Sequence, residues 1–170
     1  MTGSNQLQGP TTPEGAVRVL QIIVFALVVG VLPFLGFALF ANQFGIAGAP
    51  DFLCYLGIGF AVLEFVLHLV VPGFVQSAGL KEVTKSQLEG KDANQKFMLL
   101  FPHRQTATIV ACALLEGAAF LNTAAYLLSS YLWSLVTALV MVFFLLFRMP
   151  TLTSAQHWAE QRALEIESGF

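Results

Sequence analysis

The sequence predicts an all-α, polytopic membrane protein: a bundle of four transmembrane helices followed by a short cytoplasmic helix at the carboxyl terminus. Three observations support this fold class. Hydrophobic residues make up 56% of the 170 residues and charged residues only 11%, whereas soluble domains carry about 25% charged residues. Four long apolar stretches divide the chain. Finally, Lys and Arg are absent from residues 42–51 and 129–130, two of the three connections between those stretches.

The apolar stretches cover residues 17–41, 52–75, 106–128 and 131–147. A helix needs about 20 residues, each rising about 1.5 Å, to cross the hydrocarbon core of a bilayer. The first three stretches reach this length, and the fourth does so if Arg148 extends its side chain to the headgroups. The short connection between the last two stretches predicts a tight antiparallel hairpin.

The remaining segments are predicted to lie outside the bilayer. Residues 1–16 are polar and are expected to form a disordered cytoplasmic amino terminus, and residues 76–105 a cytoplasmic loop. Residues 148–170 are predicted to form a cytoplasmic amphipathic tail. Trp158, Arg162 and Ile166 are spaced four residues apart there, so they would share one face of a helix.

The basic residues predict the orientation. Five lie between the second and third stretches, one lies at the very start of the first and two follow the fourth: Lys81, Lys85, Lys91, Lys96 and Arg104, then Arg18, then Arg148 and Arg162. Since Lys and Arg are enriched in cytoplasmic connections, both termini and the central loop are expected in the cytoplasm. The predicted location is therefore the inner (plasma) membrane.

Two glutamates lie near the centres of the second and third stretches. Glu64 and Glu116 are each about 15–18 Å of helical rise from the end of their stretch, close to the middle of a bilayer core of about 30 Å. A carboxylate at that depth costs about 2.5–3.5 kcal/mol even on lenient insertion scales. His68 follows Glu64 by four residues and therefore shares its helical face. The three side chains can meet if the second and third helices pack side by side.

Three interpretations of these acids stay open at this stage. In the first interpretation the two acids are structural and share a proton in a hydrogen bond that joins helices. Alternatively, they bind a proton or cation that the protein translocates, since ionisable residues within membranes are commonly functional. The third interpretation is a metal site formed by Glu64, His68, Glu116 and Cys112, although the di-iron spacing of bundle proteins is absent.

Other functions receive little support from the sequence. A net charge of −2 gives no reason to expect nucleic acid as a partner. Glycine-rich phosphate loops, dinucleotide fingerprints and Gly-x-Ser-x-Gly motifs are absent, so neither an enzyme nor a cofactor is expected. The expected partners are the lipid bilayer and either further copies of the chain or other membrane subunits. His103, Arg104, Arg148 and Trp158 are predicted to lie at the lipid headgroups.

The third stretch, TATIVACALLEGAAFLNTAAYLL, resembles the ion-carrying helix of the proteolipid (c-type) subunits of rotary ATPases. Those helices carry one carboxylate among small and aliphatic residues. The resemblance implies that Glu116 is the proton-binding carboxylate, and that the second and third helices form a hairpin around a cytoplasmic loop.

The sequence therefore predicts an integral membrane protein with a protonatable carboxylate site at the midplane, in which a proton or cation is bound or translocated. Glu116 is the expected carrier, Glu64 its partner, and His68 a relay or orienting group. The alternative is an accessory or assembly subunit of a larger membrane complex, in which the buried acids are structural.

Overall fold

The computed structural model describes residues 12–169, and this part of the chain is folded into six α-helices without a strand. The helices are α1 (Pro13–Ala41), α2 (Phe52–Leu80), α3 (Lys85–Leu88), α4 (Ala93–Ser129), α5 (Leu132–Phe147) and α6 (Leu152–Ser168). The predicted all-α class is confirmed for these residues.

Three of the helices, α1, α2 and α4, are long and apolar enough to cross a membrane. The chain bends by 66° between α5 and α6, and these two count as a fourth candidate span only if they are taken together. Pro150 lies in the break and explains it, because proline lacks a backbone N–H and disfavours a helical conformation of the preceding residue.

The central connection is shorter than the sequence predicted. Helix α2 continues to Leu80, and α4 begins at Ala93 rather than at residue 106, so both ends of the segment at 76–105 are helical. The early start of α4 has a local cause. The Asp92 side chain accepts from the Gln95 backbone N–H, and the Gln95 side chain accepts from the Asp92 backbone N–H. This capping box satisfies two backbone donors that a helix otherwise leaves free.

The amino-terminal boundary also differs from the prediction. Helix α1 begins at Pro13, and the Thr12 hydroxyl accepts a hydrogen bond from the Gly15 backbone N–H at 3.2 Å. Proline favours the first helical position because its fixed φ suits the helix and no N–H partner is needed there. Of the segment 1–16, in which disorder was expected, the residues from Pro13 onwards are helical. Residues 1–11 lie outside the described part.

Helix α4 is the centre of the assembly, since it packs against α1, α2, α5 and α6, most extensively against α2. Large apolar side chains are exposed along α1, α2 and α5, whereas α4 exposes only Leu128 among the residues that the structure describes. The outward surface is therefore apolar where a bilayer would contact it.

Helices α1 and α4 run in the same direction. The rings of Phe34 and Phe120 lie 5.8 Å apart, and one turn earlier on both helices Gly30 lies beside Glu116. Helices α2 and α5 run the opposite way, which follows from the short connections that join them to α1 and α4. All eight Lys and Arg residues consequently lie in one half of the molecule, here named the basic end.

The opposite end, here named the neutral end, is held together by hydrogen bonds that join the connection between α1 and α2 to the end of α4 and to the turn that follows it. The Asn42 side chain donates to the Tyr126 carbonyl at 2.7 Å, and the Tyr126 hydroxyl donates to the Gly45 carbonyl at 2.9 Å. The backbone N–H of Gly48 donates to the Ser130 carbonyl at 3.2 Å. These bonds close the neutral end over the helices.

Candidate functional site

Glu64 belongs to the buried face of α2. The buried residues of this helix recur at intervals of three or four, as expected for one helical face: Cys54, Gly57, Ala61, Glu64 and His68. The Glu64 side chain is 9% exposed, and its Oε2 atom is buried without a hydrogen-bond partner. A buried polar atom normally has a partner, so this oxygen is an exception that needs an explanation.

Glu116 lies on α4 but is directed towards α1. A Cβ atom placed on Gly30 would lie 3.3 Å from Glu116 Oε1, so the absence of a side chain at Gly30 is what lets α1 approach the carboxyl group. Within the described range Glu116 forms neither a salt bridge nor a hydrogen bond. The carboxyl group is half-buried between two helices.

One hydrogen bond sets the relative depth of the two acids. Asn122 Nδ2 donates to the Gly57 carbonyl at 2.8 Å, which fixes the register of α4 against α2. From this bond towards the basic end, Glu64 lies about 10 Å away along α2 and Glu116 about 9 Å away along α4. The two carboxyl groups are therefore at one level of the bundle, Glu64 on the α2 side of α4 and Glu116 on the α1 side.

His68 lies one turn closer to the basic end than Glu64 and is only 2% exposed. Its ring packs against Phe65 and Phe144, with centroids 4.7 and 6.3 Å apart. The Nδ1 atom is hydrogen-bonded to the Phe65 carbonyl, which requires the proton on Nδ1. In the neutral ring Nε2 is then the free acceptor. No hydrogen bond joins His68 to either glutamate in the described structure.

Arg148 approaches this site from α5. Its terminal nitrogen NH2 donates to the backbone carbonyl of His68 at 3.1 Å. In an α-helix that carbonyl would accept from the residue four positions later, but that residue is Pro72, which has no N–H. Arg148 replaces the missing donor. The guanidinium group therefore contacts the backbone of α2, a contact that the sequence did not predict.

Cys112 is fully buried and shares a face of α4 with Glu116. The predicted metal alternative requires these two residues together with Glu64 and His68. Among residues 12–169 no three or more His, Cys, Asp or Glu side chains are arranged so that they could hold a metal ion. The four-residue metal site is therefore not assembled.

A cavity of about 380 Å³ opens at the basic end between α2, α4 and the connection from α5 to α6, and is here named the arginine cavity. Its polar side chains are Gln76, Arg104, Thr108, Arg148, Thr151 and Ser154. Arg148 thus lines the cavity and also contacts the His68 carbonyl. The cavity-lining residue of α2 that is nearest in sequence to this site is Pro72, one turn from His68 and about two turns from Glu64.

Arg104 and Trp158 form one contact cluster at the rim of this cavity. The Arg104 guanidinium donates to the Ser154 carbonyl at 2.7 Å and to its hydroxyl at 2.9 Å, and lies 5.4 Å from the centroid of the Trp158 ring. His103, which the sequence also placed at the headgroups, packs its ring against Gly79 of α2. These contacts anchor α6 and α2 to the start of α4.

Three residues of the site were not singled out from the sequence: Gly30, Pro72 and Asn122. For two of them the sequence contains a feature that could have indicated their role. Pro72 follows His68 by four residues, the spacing at which proline removes the helical donor of a carbonyl. Asn122 is a polar residue within the third apolar stretch. Gly30 gave no signal, because its role depends on the packing of α1 against α4.

The arrangement offers one buried and one half-buried carboxyl group at the same level, an imidazole one turn away, and a polar cavity at the basic end of the bundle. Such groups can bind and release protons or a cation. The chain matches no protein-family model, no curated protein and no solved structure. Its function is therefore inferred from its residues and their geometry alone.

Proposed function

We propose that α1, α2, α4 and α5 each cross the bilayer as a four-helix bundle, with the basic end in the cytoplasm of a cell whose inner (plasma) membrane holds the protein. The apolar outward surface and the clustering of all basic residues at one end support this topology. Helix α5 has 16 residues, about 24 Å of rise against a core of about 30 Å. A short span of this kind is accommodated by local thinning of the bilayer.

In this topology the level of Glu64 and Glu116 is the midplane of the bilayer. We propose that the two carboxyl groups form a binding site for a proton or a cation, with Glu116 as carrier, Glu64 as partner and His68 as the group that relays or orients. The role is binding and translocation rather than catalysis. The observation that carries the proposal is the buried Glu64 Oε2 atom, which has no partner in the described structure.

A structural role for the acids predicts a different arrangement. Polar residues that join membrane helices do so through hydrogen bonds between helices. Such bonds are present, but other residues form them: Asn122 to the Gly57 carbonyl, Arg148 to the His68 carbonyl, and Gln21 to the Pro150 carbonyl. Neither glutamate takes part. An acid retained at the midplane without a structural bond is better explained by a ligand that it binds.

Access to the site is asymmetric. The arginine cavity opens at the basic end and is lined by Arg148, which contacts the His68 carbonyl, whereas hydrogen bonds tie the connections together at the neutral end. A proton entering through the cavity meets His68 one turn before Glu64. We therefore propose that the site is loaded from the cytoplasm. The resemblance of the third stretch to proteolipid subunits supports Glu116 as the carrier.

The proposal is tested by labelling the purified protein with dicyclohexylcarbodiimide, which modifies protonated carboxyl groups within an apolar phase. Modified residues are mapped by mass spectrometry at about pH 6 and about pH 8.5, on either side of the range in which a buried carboxyl group titrates. We expect labelling at Glu116 that decreases at the higher pH. Liposomes containing the protein are then assayed for proton flux with a trapped pH dye.

Glu116→Gln and Glu64→Gln are expected to abolish the flux, and Glu160→Gln, which changes an exposed residue of α6, serves as the matched control. Flux that is equal in all three variants, together with unlabelled glutamates at both pH values, contradicts the proposal. That result would instead identify the chain as an accessory or assembly subunit whose acids are structural, working with further membrane subunits.

A further inference from the structure

The arginine cavity carries positive charge without a compensating acid. Arg104 and Arg148 both line it, and its lining contains neither Asp nor Glu. The salt bridges of the described residues lie elsewhere and join Lys96 to Glu167 and Arg162 to Glu165. Two guanidinium groups facing one cavity repel each other unless an anion lies between them. The positive charge of the cavity is therefore not balanced by any side chain of its lining.

Both guanidinium groups have N–H donors that form no hydrogen bond in the described structure. Each offers five N–H donors in a rigid fork. Arg104 uses its two terminal nitrogens on Ser154, and Arg148 uses one on the His68 carbonyl. Gln76, whose side chain forms no hydrogen bond in the described structure, adds an amide to the same lining. This set of donors matches an anion with several oxygen atoms.

The surroundings favour a phosphate group. Arginine binds phosphate through paired N–H donors, which adds geometric specificity to the charge attraction. Helix α6 begins at the cavity with Thr151 as its cap, so the positive end of the helix dipole is directed towards the same space. The rim includes Phe147, which is exposed to the apolar surroundings of α5.

We propose that the arginine cavity is a binding site for a phosphate group, held between Arg104 and Arg148, and that an anionic lipid of the inner leaflet supplies it. The phosphate contacts are independent of the midplane carboxyl site. Only the lipid source depends on the proposed topology, which places the cavity at the cytoplasmic headgroups. The exposed ring of Phe147 gives the acyl chains of such a lipid an apolar surface beside the cavity.

Trp158 lines the cavity and provides a direct readout. The chain has two tryptophans, so Trp133→Phe leaves Trp158 as the only one. This protein, in detergent, is titrated separately with phosphatidylglycerol, phosphatidylcholine and inorganic phosphate while Trp158 fluorescence is followed. We expect phosphatidylglycerol to bind about tenfold more tightly than phosphatidylcholine, because the choline cation opposes two arginines.

The decisive variant is Gln76→Glu, which places a carboxylate in the lining and leaves every described hydrogen bond intact. We expect it to weaken phosphatidylglycerol binding about tenfold or more, and Arg104→Gln to do the same. Arg18→Gln removes a positive charge at an exposed position of α1 that does not line the cavity, and should leave the affinity unchanged within about twofold. Glu116→Gln should also leave it unchanged, which separates this site from the proposed proton site.

The source of the phosphate follows from the same titrations. Inorganic phosphate that binds as tightly as the lipid, with the same dependence on Gln76, supports the site and assigns it a soluble phosphate. Much tighter binding of phosphatidylglycerol supports the site and assigns it the lipid. Equal affinities of the Gln76→Glu variant and its parent for both ligands, or no fluorescence response to either ligand, overturn the proposal.

Discussion

Arg148 donates to the backbone carbonyl of His68 at 3.1 Å and thereby supplies the hydrogen bond that Pro72 cannot give. The contact joins the end of α5 to the middle of α2, one turn from Glu64. It also places an arginine at the boundary between the arginine cavity and the buried face of α2. The backbone hydrogen bond that α2 lacks at Pro72 is thus replaced by a hydrogen bond between α5 and α2, beside the proposed site.

Replacing Arg148 should destabilise the protein, because the His68 carbonyl then has neither Arg148 nor a backbone N–H at Pro72 as its donor. In Arg148→Gln the His68 carbonyl loses its charged donor, and we expect the free energy of unfolding to fall by roughly 1–3 kcal/mol. Pro72→Ala restores a backbone N–H to α2, so the double variant should recover part of that loss. Unfolding in mixed micelles measures both. Strictly additive effects of the two substitutions would contradict the proposed exchange of donors.

The contact between Gly57 and Asn122 should determine how closely α2 and α4 pack. A Cβ atom at Gly57 would lie 3.1 Å from Asn122 Oδ1, whereas one at Gly59 would meet nothing within 4 Å. We expect Gly57→Ala to destabilise the protein by about 1 kcal/mol or more through displacement of the Asn122 amide. Gly59→Ala, the matched control on the same helix, should be neutral or slightly stabilising. Equal unfolding midpoints for both variants would refute this packing.

A similar pair of glycines tests the environment of Glu116. A side chain at Gly30 would lie 3.3 Å from its Oε1 atom, while Gly36 of the same helix has open space around it. Gly30→Ala should therefore change the rate at which dicyclohexylcarbodiimide modifies Glu116, by about threefold or more, because it moves the carboxyl group relative to α1. Gly36→Ala should leave the rate unaltered. Mass spectrometry of the labelled peptide gives both rates.

Because Glu64 Oε2 is buried without a hydrogen-bond partner, replacing Glu64 with an apolar residue is expected to stabilise the protein. A buried polar oxygen without a partner costs free energy, so Glu64→Leu should raise the free energy of unfolding by about 1 kcal/mol or more while abolishing proton flux. The same unfolding assay in micelles applies. A loss of stability in Glu64→Leu would show instead that the carboxyl group holds the helices together.

Asp51 predicts a pH dependence at the start of α2. Hydrogen bonding by Cys54, from its thiol and its backbone N–H, holds the pKa of Asp51 below its ordinary value of 3.8. A carboxyl group whose pKa is lower in the folded state stabilises the fold above its unfolded pKa, and this contribution is lost as the pH falls through the folded pKa. Helix α2 should therefore weaken below about pH 4.

Asp51→Asn retains a capping side chain but does not titrate, so thermal unfolding of this variant should lack that part of the acid dependence. Identical acid sensitivity of the variant and the parent protein would exclude Asp51 as its source. The comparison requires only unfolding curves at neutral and acidic pH.

Much of the fold was predictable from hydrophobic periodicity. The apolar stretches became α1, α2, α4 and α5, and Ser129 and Ser130 mark the turn between the last two. The boundaries near Leu80 and Ala93 were not predictable from hydropathy, because capping and contacts with α6 extend the helices into polar sequence. The proposed site was foreshadowed in part: Glu64, Glu116 and His68 stand out in the sequence as ionisable residues within apolar stretches, whereas the direction of the Glu116 side chain does not follow from it.

The sequence alone determined the number and apolarity of the long helices, the clustering of basic residues at one end, and the presence of two acids far from either end of their helices. These properties follow from residue spacing along each helix. The tertiary structure alone decided which neighbour each acid faces, since that depends on rotation about the helix axis. Close approach at Gly30 and Gly57 set those rotations, directing Glu116 towards α1 and leaving Glu64 between α2 and α4. Likewise, only packing could bring Arg148 to a carbonyl that Pro72 left free.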